Sequence, residues 1–304
     1  MTRDRLTPLP IPSRKGRIAI VTGANSGIGF ATARALSVAG ADVILAVRNL
    51  ERGRAALEQL RAEAPFGHHR VEQLDTSDLT SVRDFATRIG SGRVDILVNN
   101  AGIAADRTRQ LSVDGNELVF ATNYLGHFAL TGLLLPNLVQ SARPRVVCLG
   151  SLRANRGKLD FSDLQLDQGY SPQRAYANSK LAMVMFAREL QRHSAAADWG
   201  LFAHAAHPGI ADTPIFGNRR PARIGLWLAG AAGVAQSAND GAQAVVFCAA
   251  SRQAVAGAYY GPITKLGVSG PVGRVALPNQ ARDTFDLNAL WQASVKLTGV
   301  NYRT

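Results

Sequence analysis

The feature that most constrains the fold of this chain is a regular alternation of short β-branched runs with longer helix-like segments. The runs of strand length are RIAIV (17–21), DVILAV (42–47), RVEQL (70–74), VDILV (94–98), RVVCL (145–149) and LFAHAA (201–206), with a last short run, AYY, at 258–260. Helix candidates follow them, beginning near residues 27, 50, 79, 115, 172 and 238. Strands that alternate with helices pair in parallel through right-handed crossovers. The sequence therefore predicts an α/β fold: a doubly wound parallel sheet in a single domain, with helices on both faces.

Three parts of the chain lie outside this alternation. Residues 1–15 contain Pro8, Pro10 and Pro12 and are interpreted as an extended N-terminal arm. Residues 16–304 are predicted to form one domain, with 261–304 as a C-terminal extension. The stretches 153–172 and 210–237 interrupt the pattern after strand runs, where such sheets bind ligands, so they are expected to wall a substrate site.

Composition serves to exclude classes of partner. The net charge is +12, but the arginines are scattered over nearly every predicted helix, with no basic run beyond fragments such as GNRRPAR, so no nucleic-acid partner is predicted. The longest apolar stretches fall short of the ~20 residues of a transmembrane helix, so no membrane-spanning segment is predicted. The one membrane interaction that stays open is weak contact of residues 222–235 with a membrane surface. The arm lacks the apolar segment of a signal peptide, and two cysteines form no disulfide framework, so a cytoplasmic location is expected.

A glycine-rich turn, TGANSGIG, follows the first strand run and opens the first helix candidate. Glycines at such a turn let the backbone approach a pyrophosphate, whose charge the N-terminus of the helix stabilises. The turn therefore predicts a dinucleotide site, and the alternative is a tight turn without a ligand. The candidate cofactor contacts are Gly23, Asn25, Ser26, Gly27, Ile28 and Gly29.

The second strand run ends in AVRN, which places Arg48 and Asn49 where an acidic residue would bind the ribose 2′-hydroxyl of NAD. A guanidinium there favours a 2′-phosphate, so NADP is predicted rather than NAD. The alternative is that Arg48 is a solvated loop residue. Glu51 is interpreted as a cap of the next helix.

Polar residues also follow the third and fourth strand runs. LDTSD brings Asp75 and Thr76 to the same edge of the sheet, with a helix cap as the alternative role of Asp75. The fourth run leads into NNAG, in which the amide of Asn100 is expected to hold neighbouring loops together. Ala101 and Gly102 leave room for a flat cofactor.

The stretch AYANSKLAMVMFAREL (175–190) places Tyr176 and Lys180 four positions apart and hence on one face of a predicted helix. An ammonium beside a phenol favours the phenolate and lowers a pKa that is ordinarily near ~10, as a general acid for a carbonyl requires. The alternative is a surface tyrosine that packs on a lysine stem.

Over residues 16–262 the ordered motifs TGANSGIG, LVNNAG, ATNYLGHFALT, VVCLGS, YANSK and HPGIADT resemble those of a short-chain dehydrogenase/reductase. Within that family the chain is similar to bacterial members of the retinol-dehydrogenase-like and WW-domain-oxidoreductase-like branch, although it has no WW domain. The resemblance implies a Rossmann-like fold and NADP-dependent hydride transfer between nicotinamide and a carbonyl or alcohol carbon. Independently of the resemblance, the segment IFGNRRPARIGLWLAG near the predicted site indicates a small-molecule substrate that is apolar and bulky.

The resemblance also implies a catalytic set of four residues. Tyr176 would exchange a proton with the substrate oxygen, and Lys180 would lower the pKa of Tyr176 and bind the nicotinamide ribose. Ser151 would polarise the carbonyl, and Asn123 would hold a water that links Lys180 to solvent. Gly150 stands before Ser151 where the family often has another serine.

The motif HPGIADT resembles the segment whose backbone contacts the nicotinamide carboxamide, with Pro208, Gly209, Ile210 and Thr213 as candidates. His204 and His207 are interpreted as packing or hydrogen-bonding residues on opposite faces of a strand, and no metal is predicted.

Two functions other than carbonyl or alcohol hydride transfer stay open. One is reduction of a carbon–carbon double bond, and the other is a catalytically idle NADP-binding scaffold or sensor. A homo-oligomer through the helices that carry Asn123 and Tyr176 is suggested by the family alone.

Overall fold

The computed structural model describes residues 11–65, 67–210, 236–264 and 266–303. Its centre is one eight-stranded sheet in the order β3-β2-β1-β4-β5-β6-β7-β8. The strands are β1 (Ile18–Thr22), β2 (Asp42–Val47), β3 (Arg70–Gln73), β4 (Ile96–Asn99), β5 (Arg145–Leu149), β6 (Phe202–Ala206), β7 (Tyr259–Pro262) and β8 (Val272–Arg274). The predicted doubly wound, Rossmann-like sheet is confirmed. Only β8 departs from parallel pairing, because it runs antiparallel to β7 at the edge.

Helices cover both faces of the sheet. The α-helices are α1 (Gly27–Val38), α2 (Leu50–Glu63), α3 (Leu79–Ile89), α4 (Leu118–Phe120), α5 (Gly126–Leu133), α6 (Leu135–Leu138), α7 (Pro172–Ala196), α8 (Ala238–Ala250) and α9 (Thr284–Thr298). A π-helical turn, Ala121–Leu125, joins α4 to α5, and 3₁₀ turns form at Leu152–Arg156 and Gln280–Arg282. Helices α1, α2 and α8 pack on one face, and α3, α5, α7 and α9 pack on the other.

Each central strand contributes to both cores because successive side chains point to opposite faces. In β1, Ile20 belongs to the core under α7, whereas Ala19 and Val21 belong to the core under α1. A strand buried on both faces needs apolar residues throughout, which explains why these strands appear in the sequence as nearly continuous apolar runs.

The helix expected near Gly115 begins three residues later, at Leu118. Gly115 has φ +79 and lies in a turn closed by pairing of Leu111 with Glu117. The Glu117 carboxylate then caps the helix by accepting from the N–H groups of Val119 and Phe120. The glycine marks the turn rather than the start of the helix, because a positive φ is incompatible with helical backbone.

The C-terminal extension forms β8 and helix α9, which the strand and helix pattern did not predict. Leu287, Leu290 and Trp291 of α9 are buried in the core under α7. The Trp291 ring lies 5.1 Å from Phe128, and the Tyr302 hydroxyl donates to the Phe128 carbonyl at 2.7 Å. The extension therefore supports α5, which continues the π-helical turn, and α7, where Trp291 also packs against Phe186. Among the described residues, none of the helices is both long and apolar enough to cross a membrane.

Candidate active site

The glycine-rich turn lies at the carboxyl end of β1, next to the point where the strand order reverses between β1 and β4. Gly23 has φ +65, and a Cβ there would lie 2.9 Å from the Cα of Ala101. A Cβ on Gly29 would lie 2.5 Å from Nδ2 of Asn100 and would also meet the Gly23 carbonyl. Ser26 precedes α1 in extended backbone, and its side chain makes no cap hydrogen bond. The first turn of α1 thus keeps free N–H groups for an anionic ligand.

The NNAG segment is tied to β1 by hydrogen bonds. The backbone N–H groups of Asn100 and Ala101 both donate to Oγ1 of Thr22 at 2.8 Å, and Nδ2 of Asn100 donates to the Thr22 carbonyl at 2.7 Å. Asn99 points the other way and donates to Oγ1 of Thr131 at 2.9 Å. These amides hold adjacent loops together and fix the NNAG segment beside Gly23.

Residues after β2 and β3 line the same edge of the sheet. Arg48 is exposed and makes no ion pair with any residue in the described ranges. Oδ1 of Asn49 accepts from the Arg52 N–H at 2.9 Å and caps α2, so the cap is Asn49 and not Glu51.

Asp75 and Thr76 follow β3 at this edge. Oδ1 of Asp75 accepts from the N–H and the hydroxyl of Ser77, at 2.9 and 2.6 Å, whereas the cap of α3 is Asp78. Thr76 is buried, and a Cβ on Gly126 would meet its backbone. Both residues therefore position the loop that follows β3.

Tyr176 and Lys180 share a face of α7, as predicted. Lys180 is 1% exposed, and its Nζ donates to the Leu149 carbonyl at 3.0 Å. The ammonium lies 5.9 Å from the centroid of the Tyr176 ring. Burial lowers the pKa of Lys180 to about 8. An amine of this pKa carries its charge only below mildly alkaline pH.

Burial raises the pKa of the Tyr176 phenol, while a hydrogen bond from the Ser151 side chain and the charge of Arg153 oppose that rise. The net direction is upward because burial has the largest effect on the phenol. The lowering of this pKa by Lys180 stays a prediction.

Ser151 follows β5 and faces α7. Its Oγ accepts from the Arg153 N–H at 3.2 Å, and its carbonyl accepts from the Tyr259 hydroxyl at 3.0 Å. A Cβ on Gly150 would lie 3.0 Å from Cγ2 of Val184 and 3.1 Å from that same hydroxyl. The absence of a serine at position 150 therefore has a steric reason, because Tyr259 occupies the space.

Asn123 lies in the π-helical turn and joins two walls of the cleft. Its Oδ1 accepts from the Ile103 N–H at 2.8 Å, and its Nδ2 donates to the Ile103 carbonyl at 3.1 Å and to Oγ of Ser179 at 3.0 Å. A Cβ on Gly102 would lie 3.0 Å from Oδ1 of Asn123 and 3.6 Å from Nζ of Lys180. The NNAG segment and the candidate catalytic residues thus meet at Gly102.

Two residues that the sequence analysis did not single out, Thr22 and His127, complete this arrangement. Nδ1 of His127 lies 3.0 Å from the Asn123 carbonyl, and Nε2 lies 2.9 Å from Oγ1 of Thr22. A carbonyl only accepts, so Nδ1 carries the proton and Nε2 accepts from the threonine hydroxyl. Burial lowers the pKa of His127 to about 4, which keeps this tautomer neutral. The signals in the sequence were the positions of Thr22 within TGANSGIG and of His127 within ATNYLGHFALT.

The segment after β6 carries the remaining candidates. Nδ1 of His207 accepts from the Gly209 N–H at 3.2 Å, and the Pro208 carbonyl accepts from Gln236. The Ile210 N–H donates to the Val268 carbonyl at 2.8 Å. These bonds fix the backbone of Pro208, Gly209 and Ile210, while Thr213 lies outside the described residues, as does the apolar stretch 222–235.

His204 and His207 have packing roles. Burial lowers the pKa of each to about 4, and Nδ1 of His204 lies 3.1 Å from the Val255 carbonyl. Within residues 11–65, 67–210, 236–264 and 266–303 there is no group of three or more His, Cys, Asp or Glu residues that could hold a metal ion.

Comparison with known proteins assigns this arrangement to a family. A family model described as short chain dehydrogenase matches residues 17–224. The chain belongs to the short-chain dehydrogenase family. It is therefore an oxidoreductase of a family that binds a nicotinamide cofactor.

Two curated relatives match this short-chain dehydrogenase over most of its length. Dehydrogenase/reductase SDR family member 13 of Bos taurus is 41% identical over 303 residues, which cover 95% of this chain and 75% of the relative. Retinol dehydrogenase 12 of Mus musculus is 35% identical over 291 residues, which cover 94% of this chain and 88% of the relative. The predicted likeness to retinol dehydrogenases is confirmed.

Solved structures give the same result. An uncharacterized protein from Mycobacterium paratuberculosis is 37% identical with a TM-score of 0.81, covering 98% of this chain and 99% of its own. A protein from Beutenbergia cavernae that was solved with bound NADP at low occupancy is 27% identical with a TM-score of 0.65, covering 81% of this chain and 95% of its own.

Proposed function

We propose that this short-chain dehydrogenase transfers a hydride between NADP and the carbonyl or alcohol carbon of an apolar small molecule, with Tyr176 as general acid and base. One observation carries the proposal. At Gly102 the loop beside the glycine-rich turn comes within van der Waals reach of Asn123 and Lys180. A scaffold that only bound the nucleotide could use Lys180 for the ribose, but it would have no need of Asn123, Ser151 and Tyr176 beside that lysine.

The cleft fits a dinucleotide. Gly23 and Gly29 leave no room for side chains beside Asn100 and Ala101, and the first turn of α1 offers N–H groups without a side-chain cap. The cofactor supplies the hydride when it is bound. Arg48 would pair with its 2′-phosphate, and Lys180 would donate to its ribose.

The residues of the chain then handle the proton. Tyr176 keeps its proton at neutral pH because burial raises the pKa of the phenol, so it can donate to the oxygen of a carbonyl substrate. The Ser151 side chain lowers the pKa of the phenol, and its hydroxyl would orient that oxygen and stabilise its developing charge. Asn123 fixes the π-helical turn against α7 through Ser179 and would hold a water that returns a proton to Lys180.

An apolar substrate is supported by the likeness to a protein named retinol dehydrogenase, whose named substrate is an apolar alcohol.

A cytoplasmic location and a homo-oligomer are also part of the proposal. Both Cys148 and Cys248 are buried free thiols, as suits a reducing compartment.

The proposal is tested by NADPH oxidation with aliphatic, aromatic, retinoid and steroid carbonyls, followed by analysis of the products. We expect conversion of an apolar aldehyde or ketone to the alcohol, and an enone in the panel separates the two reductions. A saturated ketone as the product would assign reduction of the carbon–carbon bond instead. Tight NADPH binding with no turnover of any carbonyl would contradict the proposed reaction.

Arg48 is expected to set the preference for NADP over NAD. The guanidinium is exposed and has no ion-pair partner in the part of the chain that the structure describes, so it is free to bind a phosphate. Loss of a charge-assisted hydrogen bond of ~1.5–3 kcal/mol should weaken NADPH binding by about 10- to 100-fold in Arg48→Ala. Binding of NADH should change little, because its ribose carries no 2′-phosphate.

The matched control for Arg48→Ala is Arg54→Ala. Arg54 is also exposed, but it lies within α2 rather than at the end of β2. Dissociation constants for NADPH and NADH are measured by fluorescence titration in all three proteins. An equal loss of NADPH affinity in both variants would show a general effect of charge, and a wild-type preference for NADH would remove the role assigned to Arg48.

A further inference from the structure

A second group of cations lies at the edge of the sheet opposite to the glycine-rich turn. Five arginines surround a cavity of about 90 Å³ at the amino ends of β1, β4 and β5. We call these residues the arginine cluster: Arg14, Arg17, Arg143, Arg145 and Arg252. The five residues of β1, roughly 16 Å of extended chain, separate this cavity from the candidate cofactor site.

Asp95 is the one carboxylate that lines the cavity, and its oxygens are already occupied. It accepts from Arg17 at 2.7 Å, from the Ser141 hydroxyl at 2.6 Å and from the Ile18 N–H at 2.9 Å. Arg93 adds a further ion pair at 3.1 Å. Asp95 thus shares one negative charge between Arg17 and Arg93 and leaves the other arginines of the cluster without a counter-charge among the described residues.

Three guanidinium nitrogens in the cluster are buried without a hydrogen-bond partner among the described residues. Nε and Nη2 of Arg14 and Nε of Arg143 are buried and have no hydrogen-bond partner within the described chain. Arg145 is 3% exposed, and its Nη1 donates to the Cys248 carbonyl at 2.7 Å. Burial together with neighbouring guanidinium groups lowers the pKa of Arg14, and it lowers that of Arg145 to about 10. The arginines therefore repel one another across the cavity.

We propose that the arginine cluster binds a phosphate-class oxyanion, either free, on a small phosphate ester or on a lipid headgroup. Buried N–H donors without partners are costly, and guanidinium groups match the oxygens of phosphate in geometry and charge. A tetrahedral anion in the cavity would supply acceptors to Arg14 and Arg143 and relieve their repulsion. The small volume admits one such group and excludes a nucleotide base or a sugar from the cavity itself.

Thermal unfolding in sodium phosphate, compared with sodium chloride at equal ionic strength, tests the proposal. A ligand that binds only the folded protein should raise the midpoint by about 5 to 10 °C at a concentration of ~100 times its dissociation constant. The double variant Arg14→Gln, Arg143→Gln should lose this rise. In chloride the variant should unfold at the same temperature as the wild type or at a higher one, because two repelling charges are gone.

Arg48→Ala serves as the control for phosphate binding near the glycine-rich turn, and it should keep the rise. The proposal would be overturned if the rise of the unfolding midpoint in phosphate persisted in the double variant, disappeared in Arg48→Ala, or was no larger than the rise in chloride.

Two further ligands identify the source of the anion. Cosedimentation of the wild type but not the double variant with vesicles containing phosphatidic acid would assign a lipid headgroup. Stabilisation by glycerol 3-phosphate without vesicle binding would assign a free phosphate ester.

Discussion

Replacing Lys180 by methionine is expected to abolish turnover and to change how the stability of the cofactor-free protein depends on pH. Burial lowers the pKa of Lys180 from 10.5 to about 8. The unfolded chain therefore binds more protons between these two values, and the wild type gains stability as the pH rises through that window. Relative to Lys180→Met, the wild type should gain about 2 to 3 kcal/mol between pH 7 and pH 10.

Urea unfolding of both proteins across that range measures the effect. The hydrogen bond from Lys180 to the Leu149 carbonyl contributes a constant offset, which drops out of the change with pH. Lys158→Met is the matched control, because Lys158 is exposed and its substitution should give no such slope. A flat difference between wild type and Lys180→Met would show that the buried ammonium is not destabilised, and retained turnover would remove Lys180 from the mechanism.

Replacing Tyr176 by phenylalanine is expected to lower turnover by about 100- to 10,000-fold, which is the usual contribution of a general acid. The ring still packs on the same neighbours, so the variant should fold and should still bind NADPH. The reason for the loss is specific: the phenol of Tyr176 is the proposed proton donor, and its ring centroid lies 5.9 Å from Nζ of Lys180. Stopped-flow measurement of hydride transfer, beside NADPH titration, separates loss of chemistry from loss of binding.

Tyr170→Phe provides the comparison for this variant. Tyr170 is another half-buried tyrosine, whose hydroxyl donates to the Asp106 carbonyl at 3.1 Å. Its replacement removes a phenol from outside the proposed catalytic set and should leave turnover within a few-fold of the wild type. Equal activity of Tyr176→Phe and the wild type would assign the proton to another group.

The central strands were predictable because burial on both faces leaves a clear mark on the sequence. β2 was expected at 42–47 and is observed at Asp42–Val47. The edge strand β8 was missed, because Val272–Arg274 is short and only partly buried and so shows no apolar run. Helix α9 was left inside an unassigned extension, although its packing on α7 is extensive.

The sequence by itself determined the α/β alternation, the glycine-rich turn, and the shared face of Tyr176 and Lys180, because these features depend on residues close together in the chain. Only the tertiary structure decided the pKa of Lys180 and the contact of Thr22 with His127, since both depend on what other segments bring into contact. The arginine cluster is likewise visible only in the tertiary structure. They are scattered along the chain, but Arg14, Arg143 and Arg252 meet around one cavity because parallel strands begin at the same edge of the sheet.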